Sequence, residues 1–217
     1  MSERTIRFTS LEPMSRVFGF DRGTPIDRYY IERFLARRGE LIRGRVLEVG
    51  DAAYTRRFGG SRVARSDVLH VSPENRKATL IGDIESGDGV PRETFDCIIL
   101  TQVLPFVFDV RGAMATCFAA LKPGGVLLAT APGISQISRY DMDRWGDFWR
   151  FTSLSLTRLA ELAFGPGSFE VESHGNVAAA TAFLLGFSME ELTPGQLDHH
   201  DRDYELILTL AAHRGPR

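Results

Sequence analysis

The sequence is poor in lysine and cysteine and has no long apolar run. Of its 26 basic residues only Lys77 and Lys122 are lysines, and the formal net charge is −2. A chain with this charge balance lacks the basic surface of a general nucleic-acid binder, so we expect no nucleic-acid partner. Its 217 residues are 43% hydrophobic, as in a globular protein, and no Pro/Gly/Ser-rich linker divides them. A single domain is the simplest prediction.

The two cysteines and the shortness of the apolar stretches both favour a cytoplasmic protein. Cys97 and Cys117 lie in apolar sequence and form no CxxC pair, which predicts buried free thiols in a reducing environment. The longest apolar stretch, VAAATAFLLGF at 177–187, is far shorter than the roughly 20 residues that span a bilayer. The first ten residues contain no apolar core of a secretory signal. We therefore expect a cytoplasmic protein with no membrane partner.

Helical and strand patterns alternate along the chain. Apolar residues at helical spacing predict helices at 25–38, 110–121, 152–164 and 176–187. Short apolar or β-branched runs predict strands at 45–50, 62–69, 78–84, 94–101, 126–131, 169–173 and 204–212. The sequence Lys-Pro-Gly-Gly at 122–125 is typical of a compact break between a helix and a strand. This alternation predicts an α/β domain, doubly wound around a mostly parallel sheet.

Polar residues at the predicted strand ends are the candidate ligand-binding groups, because ligands of open α/β sheets bind beyond the carboxyl ends of the strands. Glu48, Gly50 and Asp51 follow the first strand, and Asp67 and Asp83 are assigned to the second and third. Asp67 lies 17 residues after Gly50, near the spacing at which an acid meets ribose hydroxyls. A carboxylate there can accept two hydrogen bonds from a diol, and Asp83 can accept one from an adenine amino group.

The phosphate-binding motifs GxGxxG and GxxxxGK[ST] are both absent. A pyrophosphate needs such glycines, because they open the backbone N–H groups to it. Carboxylates at three strand ends suit a cofactor that carries a cationic sulfonium and an ammonium group. The same absence counts against a nicotinamide or nucleotide-sugar enzyme.

Several segments resemble the signatures of class I S-adenosylmethionine-dependent methyltransferases. They are EVG at 48–50, GD at 82–83, FDCIILTQVL at 95–104 and LKPGG at 121–125. Longer segments, such as DRYYIERFL at 27–35 and PGISQISRYDMDRWGDFWRFT at 132–152, are similar to bacterial methyltransferase domains associated with glycosyltransferases in natural-product and polysaccharide loci. The resemblance implies a seven-stranded Rossmann-like domain at 25–217, including an N-terminal capping helix, after an extension at 1–24. It also implies a functional association with glycosyltransferases.

The resemblance assigns S-adenosylmethionine as cofactor and gives roles to particular residues. Glu48 and Gly50 would border the methionine part, Asp67 would bind the ribose and Asp83 the adenine. Thr101 and Gln102 would lie under the sulfonium. The remaining cofactor contacts implied are Asp51 and Ile84. The usual glycine-rich turn has further glycines where this chain has Ala52 and Tyr54.

The aromatic segment 140–152 follows the fifth predicted strand, so its side chains are candidates for the acceptor pocket. They are Tyr140, Trp145, Trp149 and Arg150. The alternative is that these rings only bury a loop against a helix. Asp147 or His174 is the candidate general base, although a satisfied or exposed histidine is the favoured interpretation of His174. The Asp-His-His-Asp run at 198–201 lacks metal-ligand spacing, and we predict a solvated loop there and no metal.

Together these features predict S-adenosylmethionine-dependent methyl transfer to a small polar acceptor, most simply a hydroxyl of a sugar or secondary metabolite. The alternative is a catalytically weak or inactive module of the same fold that binds the adenosyl cofactor or a partner. A homodimer is compatible with the sequence.

Overall fold

A computed structural model describes residues 10–216, which form one seven-stranded sheet between two helical layers. The strands are β1 (Gly44–Val49), β2 (Val63–His70), β3 (Leu80–Ile81), β4 (Phe95–Thr101), β5 (Leu121–Pro132), β6 (Phe169–His174) and β7 (Ile207–His213). The helices are α1 (Ile26–Arg37), α2 (Val110–Ala120), α3 (Arg139–Met142), α4 (Ser153–Phe164), α5 (Val177–Leu185) and α6 (Pro194–Asp198). The prediction of a single α/β domain is confirmed.

The strand order is β3-β2-β1-β4-β5-β7-β6, and only β7 runs antiparallel to its neighbours. The order reverses between β1 and β4, so the crevice of a doubly wound sheet opens beyond the ends of these two strands. Central strands are buried on both faces, because alternate residues of β4 enter different cores. Ile98 packs with α2 and α4, while Ile99 packs with α1 and α5.

Side-chain caps fix the starts of the predicted helices. Thr152 Oγ1 accepts a hydrogen bond from Ser155 N, and Ser155 Oγ accepts one from Thr152 N, which forms a capping box at the start of α4. Asn176 Oδ1 accepts bonds from the second and third backbone N–H groups of α5. Cys97 and Cys117 are buried and free, as predicted.

The last strand, predicted at 204–212, begins only at Ile207, and two further predicted boundaries are wrong. The third strand was predicted at 78–84 but contains only Leu80 and Ile81, because the chain turns at Gly82 to close a loop in which Asp83 N donates to Asp88 O. The Lys-Pro-Gly-Gly sequence at 122–125 does not separate a helix from a strand, since β5 already begins at Leu121. An irregularity in the β4–β5 register accommodates these residues within the strand.

The N-terminal segment is packed on the domain over residues 10–24. Met14 N and Ser15 N both donate to Leu185 O at the end of α5, at 2.7 and 3.3 Å. Met189 N donates to Thr24 O, which fastens the other end of the segment just before α1. This segment therefore forms part of the wall above the carboxyl ends of the central strands.

Candidate active site

The turn after β1 is held open by one glycine and one buried carboxylate. Gly50 has φ +88°, which only glycine adopts without strain, and a Cβ placed there would meet no atom within 4 Å. Glu48, only 3% exposed, accepts hydrogen bonds from Tyr54 N, Thr55 N and Thr55 Oγ1. Burial outweighs these bonds and raises the pKa of Glu48. Glu48 thus shapes the turn, while Gly50 leaves space above it.

Contacts with the loop after β2 fix the same turn from outside. Asn75 Nδ2 donates to Gly50 O at 2.7 Å, and Lys77 Nζ lies 3.3 Å from Asp51 Oδ2. Asp51 Oδ1 accepts from Ala53 N. The turn therefore keeps its shape with Ala52 and Tyr54 in place of further glycines.

Asp67 does not lie at the end of β2, so the predicted position is wrong. The strand continues to His70, and Asp67 pairs with Leu47 in the middle of β1. Its side chain is 1% exposed, and Arg45 and Arg65 bind both carboxylate oxygens. Although burial alone would raise the pKa of Asp67, these arginine bonds lower it below its usual value. The carboxylate therefore binds arginine side chains of β1 and β2 within the sheet.

His70 occupies the position at the end of β2 that the sequence interpretation gave to Asp67. Its Nδ1 lies 3.0 Å from Ser72 N, and its ring meets that of Trp145 edge-to-face at 5.5 Å. The signal for His70 was present in the sequence, since the predicted strand itself ended at Leu69. Counting from that end would have selected His70.

The end of β3 brings Asp83 beside His70. His70 pairs with Ile81 across the strands, and Gly82 N donates to His70 O. Asp83 Oδ1 accepts from Glu85 N at 2.8 Å, which orients the carboxylate. Ile84, the following residue, is buried.

Thr101 and Gln102 close β4 with a strained backbone. Gln102 has φ +54°, unusual for a residue with a side chain. Its backbone N donates to Thr130 O, and its Nε2 lies 3.2 Å from Thr130 Oγ1. Strain of this kind persists where the surrounding structure imposes it and is concentrated at functional sites.

A cavity of about 290 Å³ opens beside Thr101 and Gln102. Its walls come from the N-terminal segment, the start of α1, and the loops after β4 and β5. The lining includes Phe18, Phe20, Asp27, Arg28, Phe106, Ser135, Gln136, Ser138, Asp147 and Arg150. Phe18, like Gln102, has a positive φ, of 60°. A pocket of mixed aromatic and polar lining thus adjoins the strand-end crevice.

The model of the family described as "Methyltransferase domain" matches residues 11–163, more than half of the chain. This chain belongs to that family. S-adenosylmethionine is the methyl donor of the family.

Solved structures similar to this methyltransferase have the same fold. A SAM-dependent methyltransferase from Archaeoglobus fulgidus is 12% identical, with a TM-score of 0.55, over 86% of this chain and 94% of that one. The N-methyltransferase NodS from Bradyrhizobium japonicum WM9 is 18% identical, with a TM-score of 0.53, over 90% and 99%. The [4+2]-cyclase SpnF is 17% identical, with a TM-score of 0.57, over 90% and 85%. Comparison with curated proteins gives no match.

Asp147 lines the cavity of this methyltransferase but is fully engaged. Its side chain is 1% exposed and accepts from Arg150 Nη1 at 2.6 Å, from Arg150 Nη2 at 3.0 Å and from Ser138 N at 2.9 Å. Arg150 also donates to Ser135 O and Gln136 O. Burial by itself would raise the pKa of Asp147, but these bonds hold it below its usual value. The pair braces the loop after β5.

The predicted aromatic pocket residues are dispersed. Tyr140 is 67% exposed and stacks under Arg144, outside the cavity lining. Trp149 donates from Nε1 to Val107 O at 3.1 Å and packs on Phe108. Trp145 is also outside the cavity lining, and its ring meets that of His70 at the end of β2. Arg150 is the one predicted pocket residue of this group that lines the cavity.

His174 lies at the same end of the strands as the cavity, but it is on the outer strand β6, two strands from β5. Its Nε2 is 3.1 Å from Thr209 Oγ1, and its ring stacks on Tyr30 beside a separate cavity of about 140 Å³. Burial lowers the pKa of His174 to about 4. The structure does not bring His174 to the cavity that Asp147 lines.

Within residues 10–216, no group of three or more His, Cys, Asp or Glu side chains is arranged to hold a metal ion. In the same part of the chain, none of the helices has the length and apolar character needed to cross a bilayer.

Proposed function

We propose that this chain transfers a methyl group from S-adenosylmethionine to a hydroxyl of a small polar acceptor, such as a sugar or secondary metabolite. The observation that supports this best is the cavity beside Thr101 and Gln102. It adjoins the crevice at the sheet's switch point, so an acceptor in it can approach a methyl donor from the β4 side. Its volume of about 290 Å³ is at the lower end for ligand pockets and suits a single sugar ring.

We assign the residues at the strand ends to different parts of the cofactor. The open space above Gly50 can admit the methionine part, with Thr101 and Gln102 below the sulfonium. We assign the ribose hydroxyls to His70, which pairs with Ile81, and the adenine amino group to Asp83, two residues beyond Ile81. When bound, the cofactor supplies an electrophilic methyl group on a positively charged sulfur.

The chain's main task in this reaction is alignment. Orientation contributes an effective molarity of roughly 10⁵–10⁸ M, whereas a general base contributes roughly 10²–10⁴-fold. The Asp147–Arg150 pair, with its bonds to Ser135 O and Gln136 O, holds the β5 loop as a fixed wall. A buried, multiply bonded pair of this kind restricts where the acceptor can lie.

Structural neighbours of low identity have different activities. NodS is described as an N-methyltransferase and SpnF as a [4+2]-cyclase. Because SpnF, a [4+2]-cyclase, has this fold, the second candidate is an inactive module that binds the adenosyl cofactor. The turn with Ala52 and Tyr54 motivates that candidate, since side chains there replace glycines at the cofactor turn.

Methyl transfer and cofactor binding can be tested separately. Calorimetry with S-adenosylhomocysteine should show binding, and tritiated methyl from S-adenosylmethionine should appear on at least one of a panel of methyl glycosides. The His70→Ala variant should bind S-adenosylhomocysteine about tenfold more weakly, equivalent to one lost hydrogen bond of about 1.4 kcal/mol. The control is His213→Ala. His213 is exposed and ends β7, which runs antiparallel to β5, so it lies at the end of the sheet away from the cavity. Binding without transfer would favour the inactive module, and no binding would refute the proposal.

A further inference from the structure

Asp27 is a buried carboxylate that lacks a hydrogen-bond partner on one oxygen. It lies in the first turn of α1 and is 8% exposed. Its Oδ1 is buried without a hydrogen-bond partner in the described chain, and Arg28 Nε is 3.9 Å away. The buried carboxylates Glu48 and Asp67, by contrast, are bonded on both oxygens. A buried acceptor without a donor is costly, and a catalytic role is one reason for a protein to retain such a group.

The position of Asp27 indicates what that group is. Asp27 lines the same cavity as Thr101 and Gln102, the residues at the end of β4 that we place below the methyl donor. Phe18 and Phe106 give this cavity apolar walls. A donor group held in the cavity would therefore lie between Asp27 and the transferable methyl group.

The other charged groups that face the cavity already have partners. Arg28 Nη1 donates to Tyr54 OH at 3.0 Å, and Asp141 Oδ2 accepts from Ser138 Oγ at 2.5 Å. Asp147 is bonded to Arg150. Among the carboxylates of this lining in the described part of the chain, Asp27 is therefore the one with a buried oxygen that has no hydrogen-bond partner.

Burial also alters the basicity of Asp27. It raises the pKa of the carboxyl group, an effect that the charge of Arg28 only partly offsets and that Glu32 on the same helix reinforces. A general base works best when its pKa approaches the operating pH. The bonds from Arg150 lower the pKa of Asp147, so Asp27 and Asp147 differ in their capacity to take a proton.

We propose that Asp27 is the general base that takes the proton from the acceptor hydroxyl, an inference that rests on the proposed function. As the hydroxyl oxygen forms its bond to the methyl carbon, the carbon–sulfur bond breaks and its electron pair goes to the sulfur. The hydroxyl proton passes to the Asp27 carboxylate. S-adenosylhomocysteine, the methyl ether and a protonated Asp27 result, and the proton then leaves to solvent.

The test compares Asp27→Asn, which keeps the shape, with Asp27→Glu, which keeps the carboxylate. The control is Asp203→Asn, which removes the same charge from an exposed loop. Three quantities are measured for each: thermal stability, affinity for S-adenosylhomocysteine, and tritium transfer from S-adenosylmethionine to methyl glycosides as a function of pH.

For Asp27→Asn we expect kcat to fall by 10²–10⁴-fold and the acid limb of the pH profile to disappear. Affinity for S-adenosylhomocysteine should stay within threefold, and Asp27→Glu should recover part of the rate. The melting temperature at pH 8 should equal or exceed that of the wild type, because a buried charge has been removed. Because the pKa of Asp27 is raised in the folded state, ionisation of Asp27 destabilises the wild type as the pH rises above the unfolded-state pKa. The gain in melting temperature of Asp27→Asn over the wild type should therefore fade toward pH 4.

Three results would overturn the inference. A rate for Asp27→Asn within threefold of wild type would leave the proposed function intact and show that Asp27 is not the base. A tenfold or greater loss of S-adenosylhomocysteine affinity would make Asp27 a cofactor ligand. If the wild type binds the cofactor but methylates no glycoside, the proposed function fails and the inference with it.

Discussion

The position of Asp67 inside β2 predicts that its replacement affects stability more than cofactor binding. Asp67→Ala removes acceptors for Arg45 Nε at 2.7 Å, Arg65 Nη2 at 3.1 Å and Thr79 Oγ1 at 3.2 Å. The bond from Arg45 is the strong one, since that side chain is 28% exposed and a charge-assisted bond contributes about 1.5–3 kcal/mol. Arg65 is 60% exposed, so its share is discounted to below about 0.5 kcal/mol.

With about 0.5–1 kcal/mol from Thr79, the expected loss of unfolding free energy is about 3 kcal/mol. For a chain of this length, that lowers the melting temperature by about 6–12 °C. Asp67→Asn, which still presents one oxygen, should lose about half as much. Differential scanning calorimetry measures the stability loss, and titration calorimetry with S-adenosylhomocysteine should show less than a threefold change.

The stability that Asp67 contributes also depends on pH. Its pKa is lowered in the folded state, because the arginine bonds outweigh burial, so the contribution is present above the unfolded pKa. It is lost as pH falls through the folded pKa. The difference between wild type and Asp67→Asn should therefore shrink in acid. An unchanged melting temperature combined with a large loss of affinity would show that the carboxylate reaches the ribose, and our account of β2 would be wrong.

Two further variants examine the cavity wall and the end of β4. Arg150→Met leaves the buried Asp147 without its cation, so the melting temperature should fall by several degrees and methyl transfer should weaken. Adding Asp147→Asn to this variant should recover part of the stability. If calorimetry showed that the stability losses of the two single variants simply add in the double variant, this coupling would be contradicted. At Gln102, with φ +54°, substitution by Ala should leave the protein about 1 kcal/mol less stable than substitution by Gly, because only glycine relieves the backbone. Equal unfolding free energies for these two variants would show that position 102 is unstrained.

Much of the fold follows from local sequence patterns. The run FDCIILT is apolar enough to be buried on both faces, and it forms β4 at the centre of the sheet. Thr152 and Asn176 precede apolar helical stripes and cap α4 and α5. Gly50, at the end of the first strand, has the positive φ that the turn requires. Each of these features depends on neighbours within a few residues, so periodicity and capping rules predict them.

The sequence by itself determined the α/β class, the alternation of elements, the buried thiols and the glycine turn, because short-range sterics and hydrophobic periodicity dictate them. Tertiary structure alone decided which carboxylates are engaged. Asp67 and Asp147 are bound by arginines, whereas Asp27, an ordinary first-turn aspartate in the sequence, is buried with an unused oxygen. Arg65 and Arg150 are close in sequence to the carboxylates that they bind, but the burial of a carboxylate depends on what other elements bring against it, as Arg45 of β1 does for Asp67.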